Sequence, residues 1–167
     1  TKKGETLTSI YNESELLVVE AVERGLLEGL DPPEIAAVCS ALVYETRGPE
    51  GPPPPQMPSA AAMKVWREFM KLWRQIRAEE EGRRLDLTRE PDPGFAQKAH
   101  DWAAGEPLER VLDEEDAPGD FVRSIKQLLD LLRQIAEIVS DGSTRSALDQ
   151  AMAGLNRGVV SYTSLDL

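Results

Sequence analysis

The chain has one cysteine, Cys39, and one histidine, His100, in 167 residues. An intrachain disulfide is therefore impossible, and a reducing, cytoplasmic setting is the natural expectation. No apolar run approaches the ~18 residues that cross a bilayer, so no membrane role is expected. The opening TKKGETL carries neither an initiating Met nor an apolar segment of the secretory type, and a piece of a longer polypeptide is expected. A G-x-x-x-x-G-K-[ST] phosphate loop is missing, and no acidic motif follows a strand. The chain by itself thus lacks that route to nucleoside triphosphate hydrolysis. Positive charge is scarce too: 19 Lys and Arg stand against 30 Asp and Glu, for a net charge of −11. Phosphate contacts supply most of the affinity of nucleic-acid-binding proteins, so the chain as a whole is repelled by polyphosphate. Any role on nucleic acid is confined to a local surface or leans on basic surfaces elsewhere.

What is present is a series of helical patterns. YNESELLVVEAVERGLLEGL places Asn12 before Glu15 as a capping box and repeats Leu16, Val19, Val22 and Leu26 at helical spacing, which predicts a helix from about residue 13 to 25. DPPEIAAVCSALVYET restarts with Asp31 as cap and Pro32 in the first turn. Its apolar face is Ile35, Val38, Cys39, Leu42 and Val43. RGPEGPPPPQMPS favours extended polyproline backbone and makes a proline-rich loop near residues 48–58. Ser59 then caps a long helix with Met63, Trp66, Phe69, Met70, Trp73 and Ile76 in one stripe, read as core rather than as a stacking platform, and Gly82 ends it. A short helix follows with Phe95, Ala99 and Trp102 inward and Gly105 as its stop, then another ending before Pro118. Two more are expected over residues 120–140 and 143–160. No alternating run is long enough for a sheet. The fold class is all-α, a single bundle of six to eight helices over residues 1–167.

Candidate chemistry is thin. Cys39 and His100 fall on separate helices with no third orienting group, so no catalytic residue is assigned. The acidic runs AEEEG and LDEEDAPGD lack the spacing and mid-loop glycine of a calcium loop; they read as solvated charge, and no metal ligand is assigned. The helix GDFVRSIKQLLDLLRQI is more informative, being apolar around most of its circumference. At about 100° per residue, Arg123, Lys126, Gln127, Asp130, Arg133, Gln134 and Glu137 share an arc of roughly 120°. A solvated face with pairs such as Asp130 with Arg133 or Gln134 accounts for this pattern. So does a surface for a ligand with anionic and hydrogen-bonding parts, such as a single nucleic-acid strand.

HDWAAGEPLERVLDEEDAPGDFVR, running into that helix, resembles the C-terminal helical (DSHCT) domain of the Ski-like superfamily of DExH-box RNA helicases. The shared pattern is a Trp-x-x-Gly helix, a short Leu-containing helix, and a Gly-[Asp/Ser]-x-[Val/Ile]-Arg helix ending in Leu-Leu-Arg-Gln. The opening IYNESELLVVEAVERGLLEGLDPPEIAAVCSALVYE and the closing RGVVSYTSLDL are similar to bacterial, HelY-type members. The resemblance runs in order from Leu7 to Leu167. It implies a domain that packs on two motor domains of the same polypeptide and closes a ring around a threaded strand of RNA or DNA. One long ratchet helix then touches the strand. It further implies that ATP and Mg are bound by motor domains outside this chain. Arg123 matches the motif arginine, and Asp130 falls where a carboxylate is common. Gln127 stands where a second basic residue is common, and Ser124 where many bacterial relatives carry an aromatic. Both departures weaken phosphate contact and stacking. The expected contacts are Arg123, Lys126 and Arg133 to phosphate or bases, with Gln127, Asp130 and Gln134 as polar contacts. The rival expectation is an acidic helical module that docks a protein partner, with the proline-rich loop as docking segment.

Overall fold

The computed structural model describes residues 14–83 and 87–162. Among them are eight α-helices and no strand: α1 (Glu15–Glu23), α2 (Pro32–Ser40), α3 (Ala60–Arg83), α4 (Ala96–Ala103), α5 (Leu108–Val111), α6 (Pro118–Ile138), α7 (Gly142–Leu155) and α8 (Val159–Tyr162). A 3₁₀ turn, Pro93–Phe95, leads into α4. The all-α class, the helix number and the irregular proline-rich stretch match expectation within the described residues. Asn12, the expected cap of α1, lies outside them. In α1 burial takes in Leu17, Val18 and Ala21 along with Val19, while Leu16 and Val22 are half-buried.

Helix α2 is the centre. Ile35 to Cys39 and Ala41 have no exposed surface, and α3, α4, α6 and α7 all pack on this one helix. Its small side chains, Ala36, Ala37, Cys39 and Ser40, let neighbours approach on several sides, which a single apolar stripe would not permit. The buried Ser40 hydroxyl donates to the Ala37 carbonyl at 2.7 Å, so no polar group is stranded there. Burial pushes the Cys39 thiol up to about 12, which leaves almost no thiolate at neutral pH. At the start of α2 the Glu34 carboxylate accepts the Asp31 N–H at 2.9 Å and the Ser59 hydroxyl. Ser59 in turn accepts the Ala62 N–H at 3.0 Å, so the caps of α2 and α3 are joined.

Three expectations are corrected. Gly82 does not end α3 but sits within its last turn. The run around Glu80 is not wholly solvated: Glu80 is turned inward, accepting the Thr88 N–H at 2.7 Å and the Thr88 hydroxyl at 2.8 Å. The last helix is two pieces, because the chain turns at Gly158 with φ of 53° and Arg157 folds back to donate to the Trp102 and Glu106 carbonyls. The aromatic stripe of α3 is core as expected. Trp66 and Phe69 are buried, and Trp73 is half-buried with its indole N–H on the Thr88 carbonyl at 2.9 Å.

Gly154 marks the closest approach of α7 to α4. A Cβ there would lie 2.5 Å from the Ala103 carbonyl oxygen. Helix propensity alone favours alanine over a mid-helix glycine by roughly 0.5–1 kcal/mol. A backbone clash outweighs that, since overpacking costs about 1–3 kcal/mol. Gly154→Ala is therefore expected to lower the melting temperature, and a rise on thermal unfolding would contradict this packing.

Candidate nucleic-acid interface

Pro118 in the first turn opens α6, and eight apolar side chains from Phe121 to Ile135 are buried against its neighbours. Such extensive burial leaves one outward edge. Arg123, Gln127, Asp130, Arg133 and Glu137 are exposed on it, with Lys126 and Gln134 half-buried. All six residues singled out as contacts thus lie along one edge, and none is fully buried. Of the pairs expected within the stripe, the Gln134 amide donates to the Asp130 carboxylate at 3.1 Å.

An open groove of about 950 Å³ runs beside the first turns of this edge. Arg123, Ser124 and Gln127 line one side, the 43–48 segment faces them, and Lys98 and Asp116 also line it. Rings connect the groove wall to the core. Tyr44 stacks on Phe95 at 5.0 Å, Phe95 meets Phe121 at 5.8 Å, and Phe121 meets Trp102 edge-on at 5.4 Å. Burial pushes the Tyr44 phenol up, with Lys98 pulling the other way, so it stays a neutral hydroxyl at pH 7. Desolvation by itself would raise the Asp116 carboxyl. Hydrogen bonds from Lys98 and from the Asp113 N–H overcome it and hold the group below its ordinary value. Asp116 is therefore a second member of the acidic runs that is bound rather than solvated.

At the groove's mouth the Arg123 guanidinium donates to Asp120 at 3.1 Å, and Asp120 also faces Arg47 at 3.6 Å. Side-chain exposures of 45% for Arg123 and 50% for Asp120 make this a weak tie, worth ~1 kcal/mol or less. Arg123 can exchange it for a stronger anionic partner. Tyr44, Arg47 and Lys98 escaped the sequence reading; the first two come from the 43–48 segment and Lys98 from α4, and only the fold gathers them. Among the described residues no group of three His, Cys, Asp or Glu side chains is placed to hold a metal ion, and no helix is long and apolar enough to cross a membrane.

The fold defines a class, an all-α helical bundle, and likeness to known proteins makes it a domain of the kind found as the C-terminal part of helicases. The chain belongs to the DSHCT (NUC185) domain family, whose model matches residues 1–163. A Mycobacterium leprae protein named Probable helicase HelY is 38% identical over 172 residues, which cover 96% of this chain and 19% of that protein. The Schizosaccharomyces pombe ATP-dependent RNA helicase mtr4 is 22% identical over 171 residues, 99% of this chain and 15% of its own length. The Saccharomyces cerevisiae antiviral helicase SKI2 is 25% identical over 176 residues, 99% of this chain and 14% of its own length. The chain spans about a fifth or less of the length of these relatives. The family expected from the motifs is the family found.

Proposed function

We propose that this domain serves as the non-catalytic C-terminal part of an ATP-dependent helicase, in the cytoplasm. It braces the motor domains of the same polypeptide and guides a single strand of RNA or DNA along α6. ATP and Mg act in those motor domains. Arg123, Lys126 and Arg133 meet phosphates or stack on bases; Gln127, Asp130 and Gln134 supply hydrogen bonds to bases or sugars. The observation that carries this reading is the outward edge of α6 beside an open groove, on a helix whose apolar side chains from Phe121 to Ile135 are buried. The exposed Arg123 guanidinium, held only by a weak pair, is a ready donor to a passing phosphate.

The test is Arg123→Ala with Arg133→Ala in the full-length protein. Loss of about 1.4 kcal/mol of strand contact corresponds to a tenfold drop in nucleic-acid-stimulated ATPase or unwinding. Basal ATPase and the melting temperature stay at the parent values, because both side chains are exposed. Unchanged unwinding would refute the guiding role. It would favour the rival reading, an acidic docking module, which the exposed run Pro52 to Pro55 supports.

A further inference from the structure

Between residues 60 and 78 the chain carries five cations and a single carboxylate, Glu68, within a protein of net charge −11. At about 100° per residue, Lys64, Arg67, Lys71 and Arg74 fall within an arc of roughly 80° on α3. All four are exposed. None of them makes an ion pair with a described residue, although Glu68 flanks them. Several cations elsewhere behave differently. Arg77, one step off this ridge, pairs with Glu81 at 3.2 Å, and Arg24, Lys98, Arg110 and Arg123 each have a carboxylate partner. Like charges three or four residues apart on a helix destabilise it by about 0.2–0.5 kcal/mol per pair. A ridge with three such steps, in a chain rich in carboxylates, is organised for an anion outside the domain.

We propose that the Lys64–Arg67–Lys71–Arg74 ridge binds the sugar–phosphate backbone of the nucleic acid at a second place, apart from the α6 edge. This rests on the reading of the domain as part of a helicase. The ridge is the local basic surface that the overall acidity demands of any nucleic-acid contact. Steps of three or four residues set the charges about 5 Å apart along the axis, on the order of the phosphate repeat of a strand. The other exposed positions between and beside the cations are Ala60, Ala61, Gln75 and Ala78, with Glu68 the one carboxylate. Protein interfaces are depleted in Lys and combine Arg with large aromatic anchors, and this ridge offers no aromatic. Repeating phosphates need only charge, and charge is what the ridge supplies.

The test replaces all four with glutamine (Lys64→Gln, Arg67→Gln, Lys71→Gln, Arg74→Gln) in the full-length protein. A fluorescent duplex with a single-stranded tail is titrated between 50 and 200 mM salt, the range over which phosphate contacts weaken markedly. The dependence of log K on log salt is expected to become shallower by about 3, four phosphates at roughly 0.7 each. Binding at low salt weakens, while basal ATPase and melting are unchanged. A variant exchanging Lys for Arg and Arg for Lys at the four sites keeps the parent slope, because charge rather than geometry carries the contact. An unchanged slope overturns the proposal. So does a loss of basal ATPase with the slope intact, which would identify an acidic protein face as the occupant. The Arg123 and Arg133 double variant, measured in parallel, separates the two readings. An unchanged ridge slope beside impaired unwinding in the double variant sinks the ridge alone. A changed slope beside normal unwinding in the double variant sinks the α6 reading and leaves the ridge standing.

Discussion

Trp102→Ala is expected to destabilise the domain by about 3–5 kcal/mol, the cost of removing a large buried aromatic. A domain of this size is stable by only ~5–15 kcal/mol, so the variant stands close to unfolding. The indole is 2% exposed and packs edge-on against Phe121. Its N–H donates at 2.8 Å to the Leu155 carbonyl at the end of α7, which also accepts the Arg157 N–H at 3.0 Å. The Arg157 guanidinium lies 3.6 Å above the ring and donates to the Trp102 carbonyl at 2.7 Å. Deleting the ring therefore opens a cavity, removes one of two hydrogen bonds to a buried carbonyl and takes away the aromatic partner of a cation at once. Trp102→Phe keeps most of the packing and loses the N–H, so its loss is expected to be about 1–2 kcal/mol plus the difference in ring size. Urea unfolding of the two variants measures both terms, and an alanine variant within ~1 kcal/mol of the parent would refute this assignment. Because Phe121 begins the buried face of α6, Trp102 also fixes where the outward edge stands.

Asp92→Ala is the second large effect, expected at about 3 kcal/mol from the loss of charge-assisted hydrogen bonds. Asp92 is 6% exposed. Its carboxylate accepts the Thr46 N–H, the Thr46 hydroxyl at 2.9 Å and the Gly94 N–H at 2.8 Å. Its own N–H reaches the Ala41 carbonyl at 2.9 Å. Arg89 adds donors to the Leu42 and Tyr44 carbonyls at 3.1 Å each. Together they hold the 43–48 segment that forms the groove wall opposite Arg123. Amide hydrogen exchange at Thr46 and Gly94 is expected to quicken sharply in Asp92→Ala while the buried amides of α6 keep their protection. Uniform exchange across both regions would mean that the wall is not held this way. Asp92→Asn keeps one acceptor and falls between parent and alanine.

The pairing of Trp102 with Arg157 illustrates what one sequence conceals. The helix around Trp102, its inward face and its stop at Gly105 follow from local spacing, and they are as expected. That a cation 55 residues later folds over the ring does not follow, and with it goes the break between α7 and α8. The edge of α6 was readable because eleven apolar residues left a single polar arc. Its exposure and the groove beside it were not, since the groove walls come from four separate stretches of chain. The basic ridge of α3 was in plain sight at positions 64, 67, 71 and 74. Only the absence of partners on the folded surface distinguishes it from an ordinary solvated face.

Helical periodicity, capping residues and proline breaks act over a few residues, so the amino-acid order alone was enough to determine the all-α class, most of the helix positions, the family motifs and the mixed-charge arc. Tertiary structure alone decided that α2 is enclosed on several sides, that Glu80, Asp92 and Asp116 are bound rather than solvated, and that four cations of α3 stand together with no ion pair to a described residue. Those outcomes depend on which distant side chains arrive at each surface, as Asp92 meets Thr46 across 46 positions and Trp102 meets Leu155 across 53. No local pattern encodes such meetings; packing of the helices around α2 creates them.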